Sequence, residues 1–230
     1  MVRLAARATA SFAIALAPGR PPAHAAANEA DATIAEAKPD LAPINLLEST
    51  GEWAELFSAL AEKQPLFSTF TEARRFPFKK AVVKLRGEMR FSRDLGLSLH
   101  YEEPESRTLI VDEKGIVMCD GCGRSRSFRG DRRGAPALVV LLPVMSFDLP
   151  KIAGNFEVRG ASAGEMWWLE FLPRDEALGT RVEAIQVAGE GSEVKHIAFN
   201  QESGQQVQII IESTRTGVAF SKDDVRRWFR

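Results

Sequence analysis

Between Lys79 and Pro104 two consecutive stretches alternate apolar and polar residues with a period of two. In the first, Val83, Leu85, Gly87, Met89 and Phe91 share one parity, and Val82, Lys84, Arg86, Glu88 and Arg90 share the other. After a polar break at Ser92-Arg93-Asp94, the second sets Leu95, Leu97, Leu99 and Tyr101 against Gly96, Ser98, His100 and Glu102. Successive side chains of a strand point to opposite faces, so the pattern predicts an antiparallel hairpin with one oily face and one charged face.

Upstream, Ser49 with Glu52 three residues on has the form of a capping box. Trp53, Leu56, Phe57 and Leu60 then follow at helical spacing, which predicts an amphipathic helix ending near Gln64-Pro65. Its apolar stripe needs a large apolar surface to cover, and the hairpin face is the nearest. Leu66 to Phe78 reads as a strand interrupted at Pro77. Arg107–Asp112 and Gly115–Asp120 read as a hairpin around Glu113-Lys114, and Arg124 to Arg129 as a short polar strand. The β rhythm breaks over 134–156. There Ala137 to Leu142 is apolar all round, Pro143 kinks or ends it, and one or two short helices are expected. Strands are predicted again at 156–159, 165–172, 181–188, 194–200 and 205–212, followed by a capped helix from Ser221. Trp167 and Trp168 fall on opposite faces of their strand, which predicts cover on both sides.

The chain has 230 residues and a formal charge of −1. A single domain of the larger all-β kind is expected. Residues 1–25 carry Arg3 and Arg7, an apolar run from Ser11 to Ala17, and the A-x-A pattern Ala23-His24-Ala25, which together read as a secretory signal peptide. Residues 26–44, Ala- and acid-rich without periodicity, read as a flexible leader, leaving 45–230 as the folded unit. Without residues 1–25 the chain carries 27 basic and 31 acidic side chains, the opposite of the basic balance a nucleic-acid binder needs. Its longest later apolar run, Ala135 to Met145, is too short to cross a bilayer.

Cys119-Asp120-Gly121-Cys122 holds both cysteines. In an oxidising compartment a C-x-x-C in a Gly-bearing turn favours a local disulfide. A thiol oxidoreductase would want the first Cys at a helix N-terminus, and a zinc site would need two more ligands, which His24, His100 and His196 do not supply by spacing. No H-E-x-x-H occurs, and Gly160-Ala161-Ser162-Ala163-Gly164, which has the form G-x-S-x-G, reads as a turn between strands without the flanking pattern of a nucleophile elbow, so no catalytic or metal residues are assigned and no cofactor is expected.

Particular segments carry a family likeness. Phe67-Ser68-Thr69-Phe70-Thr71 resembles the opening strand of the periplasmic LolA-type lipoprotein carriers. Gly87-Glu88-Met89-Arg90-Phe91-Ser92-Arg93 resembles their Gly, acidic, apolar strand ending in a fixed Arg. Pro104-Glu105-Ser106 and Leu109-Ile110-Val111-Asp112 resemble the segment beyond. The likeness spans about residues 45 to 225. It departs at Asp94, where the family has Pro, and at the leucines 95, 97 and 99, where the family has an aromatic-rich strand, as in a divergent member.

The resemblance implies a mostly β (α+β) fold, in which a single curved antiparallel sheet forms a half-open barrel covered by the N-terminal helix and a central helical lid. It implies a non-enzymatic, monomeric periplasmic chaperone that takes acylated lipoprotein from an inner-membrane release complex to an outer-membrane acceptor. Phe76-Pro77-Phe78, Gly87 and Gly96-Leu97 resemble a related subfamily linked to glycolipid or lipid-pigment export, the alternative cargo; a C-x-x-C thiol oxidoreductase is the competing class. Leu85, Met89, Phe91, Leu97, Leu99 and Met118 of the sheet would line the acyl cavity. Trp53 and Phe57 of the first helix and Leu138 and Leu142 of the lid would complete it. On alternation alone the same residues read as a filled core. Arg93 would be the lid latch, its five-donor fork holding lid carbonyls.

Overall fold

The computed structural model describes residues 39–46, 51–104, 106–121, 125–128, 138–180, 182–201 and 204–229. The signal peptide and most of the leader lie outside them. Ala42–Ile44, which the leader reading leaves out of the folded unit, is a short edge strand, β1. It carries no alternation to betray it, and pairing with a distant strand holds it: Ala42 sits opposite Gly160 and Ile44 opposite Val158.

Helix α1 runs Glu52–Glu62. Its N-cap is Gly51, whose φ of 96° suits glycine, rather than a side-chain cap; Ser49 lies outside the described residues. The first meander follows as β2 Leu66–Arg75, β3 Val83–Ser92, β4 Gly96–Glu103, β5 Arg107–Asp112, β6 Gly115–Asp120 and β7 Ser125–Phe128. Two short helices, α2 Leu138–Met145 and α3 Leu149–Asn155, separate it from the second meander. That consists of β8 Phe156–Ala163, β9 Met166–Pro173, helix α4 Glu176–Gly179, β10 Val182–Glu190, β11 Glu193–Gln201 and β12 Gln206–Thr216. Helix α5, Lys222–Trp228, closes the chain and opens with a Ser221–Asp224 capping box.

All twelve strands form one antiparallel sheet in the order β1-β8-β9-β10-β11-β12-β2-β3-β4-β5-β6-β7. Its edges, β1 and β7, do not pair with each other, so the sheet stays open. A flat sheet of this width would span about 50 Å. Yet Val158 near one edge and Ile116 near the other belong to one core cluster, so the sheet curls around a shared interior. Phe57 and Leu60 of α1, Leu141, Val144 and Met145 of α2, and Ile152 of α3 join that cluster. Side chains of these helices thus pack into the same apolar interior as those of the sheet.

Helix α5 lies on the convex side instead. Its Trp228 ring is 4.8 Å from the His100 ring, and the Arg90 guanidinium stacks 4.0 Å over Trp228. The two tryptophans of β9 divide as predicted: Trp167 points inward and donates through Nε1 to the Gly191 carbonyl at 2.8 Å, while Trp168 takes the opposite parity. Gly189 faces Trp167 across β9–β10, and a Cβ there would come within 2.3 Å of the indole.

Candidate functional site

The ladder stacks the inward residues in rows. One row crosses Ser68, Met89, Leu99, Leu109 and Met118, and the next Leu66, Phe91, Leu97, Val111 and Ile116. From the second meander Ile209, Ile197, Val187 and Leu169 continue the surface. Of the residues predicted to line a cavity, those on the sheet and first helix, with Leu142, lie on or against this one apolar surface. Phe57, Met89, Phe91, Leu97 and Leu99 are buried in the shared cluster, and Trp53, Leu85 and Leu142 pack partly buried against it. Met118 is half-buried at its place in the row. Leu138 lies in α2, its side chain outside the described residues.

These residues are packed against one another. Among the described residues, one small pocket by α1, between Leu60, Leu66, Met89, Met145, Phe147 and Ile211, has a volume of about 40 Å³. The T-shaped pair of Phe57 and Phe147, 5.8 Å between centroids, joins α1 to the end of α2.

That end of α2 is built unusually. The Phe147 N–H donates to the Val144 carbonyl and the Asp148 N–H to the Pro143 carbonyl, at 3.1 and 3.3 Å, the two bonds of a Schellman motif. Such a motif wants a left-handed residue after the cap, normally glycine. Phe147 fills it with φ 49°, a conformation that costs a bulky side chain of order 1–3 kcal/mol. Two distant side chains take the neighbouring carbonyls: Gln64 Nε2 donates to Met145 O at 3.2 Å, and Arg93 Nη2 to Ser146 O at 3.4 Å. Arg93 thus reaches one carbonyl just past the end of α2 from an exposed position on the β3–β4 turn. Beside α2, a cleft of about 650 Å³ runs between that turn, the β5–β6 turn and α2–α3, lined by Arg93, Asp94, Lys114 and Lys151 among others. Lys151 sits 3.7 Å from Glu113 and 3.6 Å from Asp148 across it.

The opposite end of the concave face holds a polar cluster. Glu72 is only 2% exposed. It accepts hydrogen bonds from Arg74 Nε and, at 2.8 Å, from the Tyr101 hydroxyl, and Arg74 Nη2 donates to that hydroxyl at 3.2 Å. Burial first, and then the Glu72 charge, push the Tyr101 phenol far above its ordinary range, although Arg74 works the other way. Sequence reasoning singled out no carboxylate. The signal was available, because Glu72 shares the inward parity of Ser68 and Phe70. Gln64 was also missed, and no local pattern marks it.

Cys119 is half-buried near the end of β6; Cys122, its partner in the disulfide that the motif suggests, lies outside the described residues. The ladder holds Cys119 between Thr108 and Ser125. His100 Nδ1 lies 3.0 Å from the Thr108 hydroxyl. His196 is buried on the convex parity of β11, with no hydrogen-bond partner at Nε2 among the described residues. Its desolvation lowers its pKa.

No family model matches the chain, and no curated protein matches it. Solved structures similar to it include a domain named for outer-membrane lipoprotein sorting from Vibrio parahaemolyticus, 9% identical, with a TM-score of 0.44 over 76% of this chain and 94% of that one. A LolA superfamily protein from Nitrosomonas europaea is 9% identical, with a TM-score of 0.40 over 74% of this chain and 97% of that one. A chain of the Pseudomonas aeruginosa MucA/MucB complex is 16% identical, with a TM-score of 0.38 over 75% of this chain and 59% of that one.

Proposed function

We propose that this protein is a carrier that takes up acyl chains by exchanging them for its own lid. One observation supports the reading: side chains of α1 and α2 pack into the apolar interior of the sheet, while among the described residues the polar ties from distant side chains at the end of α2 are single hydrogen bonds from Gln64 and Arg93. Lifting α2 would uncover Leu141, Val144, Met145 and Phe147, at about 1.5–3 kcal/mol for each side chain. An acyl chain contributes about 0.8 kcal/mol per methylene buried. About a dozen methylenes therefore offset the lost lid packing, and loading and emptying are close to balanced. A carrier needs that balance, because a ligand shifts the lid only by its difference in affinity for the two states.

The motif resemblance in β2 to β5 and the signal-peptide pattern support the finer reading. On it the cargo is acylated lipoprotein, collected in the periplasm from an inner-membrane complex and passed to an outer-membrane acceptor. Native mass spectrometry of protein isolated from its own compartment tests this. Acylated protein bound one to one is the expected result, a glycolipid or pigment mass would move the cargo to the alternative, and a chain that never co-purifies with lipid and ignores a fluorescent fatty-acyl probe would sink the carrier reading.

A further inference from the structure

The β2–β3 loop, at the end of the sheet away from the lid, is unlike the rest of the surface. Among the described residues, the large hydrophobic side chains recorded as exposed are Phe78, at 77%, and Val82, at 40%. Both lie in this loop. Phe78 is held outward by its surroundings. β2 ends at Arg75, Pro77 packs so close to the β11–β12 turn that a Cβ on Gly204 would come within 2.7 Å of its ring, and the Lys79 N–H closes a turn on the Phe76 carbonyl at 3.1 Å. The rings of Phe76 and Phe78 lie 5.6 Å apart, and Lys79 Nζ sits 5.2 Å over Phe76. From Arg75 to Lys84 the chain carries Arg75, Lys79, Lys80 and Lys84 and no carboxylate. Of the acids close by in the ladder, Glu72 is buried and held by Arg74 and Tyr101, and Glu103 stands opposite Arg86.

We propose that this loop docks the protein on an anionic lipid bilayer. An outward aromatic flanked by lysines has the chemistry of an interfacial anchor: the ring enters the boundary between headgroups and acyl chains, and the ammonium groups stay at the depth of the phosphates. Charge complementarity selects the bilayer as occupant, since basic residues near an anionic leaflet each strengthen binding. Docking by this end leaves the lid, at the other end of β2, free to move. The inference stands apart from the carrier reading.

The test is flotation of the protein with vesicles of phosphatidylglycerol and phosphatidylethanolamine, against vesicles of phosphatidylcholine alone. The intact protein should float with the anionic vesicles and lose that association in high salt. Lys79→Gln and Lys80→Gln should each weaken it about fivefold, and Phe78→Ser roughly tenfold. All three positions are exposed, so melting temperatures should not change, and folding does not confuse the result. Absence of flotation on anionic vesicles, or equal flotation by wild type and variants, overturns the proposal. So does a concentration-dependent dimer in the wild type that Phe78→Ser abolishes, which would make the loop a contact between copies. Acyl-probe binding, measured without vesicles, should be equal in all these proteins; its loss from every one of them would count against the carrier reading and leave the flotation result standing.

Discussion

Tyr101 is the chain's only tyrosine, which gives the buried polar cluster a spectroscopic reporter. Its hydroxyl is held between Glu72 and Arg74, at 2.8 and 3.2 Å, and its side chain is buried in the core. Ionising it would set a second negative charge beside Glu72, away from water. A group whose folded pKa is raised stabilises the fold fully below its unfolded pKa and loses that contribution as pH climbs above it. For a phenol the loss begins near pH 10 and proceeds at about 1.4 kcal/mol per pH unit. Tyr101→Phe removes a hydrogen bond to a charged acceptor and should cost about 1.5–3 kcal/mol at pH 7. It also lacks the phenol's alkaline loss, so the two stability curves should converge by about 1 kcal/mol from pH 10 to 11. The assay pairs denaturant unfolding at stepped pH with the tyrosinate difference absorbance of the folded protein. Tyrosinate should appear only together with loss of the native tryptophan fluorescence. A phenol that titrates near its ordinary value in a protein still folded would refute the reasoning.

At Phe147, glycine relieves the left-handed backbone that alanine keeps, so Phe147→Gly should be more stable than Phe147→Ala by about 1 kcal/mol, the reverse of the order at ordinary sites, as read by thermal denaturation. His196 has a lowered pKa, so the unfolded chain takes up its proton first as pH falls below about 6.5. Stability should then drop on acidification, and His196→Leu should shrink the difference between unfolding free energies at pH 7.5 and pH 5 by about 1–2 kcal/mol. Arg93→Leu removes one long, exposed hydrogen bond and should cost less than about 1 kcal/mol of stability. Combined with Gln64→Ala it should still bind a fluorescent acyl probe, more tightly than wild type, because the closed lid competes less well; unchanged affinity in the double variant would remove both residues from the latch.

The sequence showed most where one face of a strand is buried and the other solvated. Alternation in β3 and β4 puts Met89, Phe91, Leu97 and Leu99 on one apolar face, as the ladder has them, with Met89 opposite Leu99 and Phe91 opposite Leu97, since a one-residue slip would turn the whole apolar set outward. It showed least where a partner far along the chain decides. β1 is three residues including Pro43, and exists because the β8 edge is available. Phe147 gives no turn signal, because a Phe in a glycine's position is chosen by its packing on Phe57 rather than by its backbone preference. Of the candidate site, the apolar members were legible by parity and spacing. Gln64 was not, since its role depends on where the corner between α1 and β2 meets α2. Nor could alternation distinguish a lined cavity from a packed interior, because both put the same residues on the same face.

The centre of the sheet is the seam between β2 and β12, where the Ser68 and Thr214 hydroxyls meet at 2.9 Å although 146 positions separate them in sequence. Closing a loop of that length costs about 4–5 kcal/mol of chain entropy before the ladder contributes anything. A chain growing from its N-terminus therefore carries β2 as an exposed edge until β12, the last of the twelve strands, has been made. Fast local meanders on either side, joined late by one slow and distant pairing, give the molecule a folding rate set by its topology rather than its stability. A chain cut short before Gln206 should accumulate as an aggregation-prone half-sheet, with the β2 edge as its sticky side.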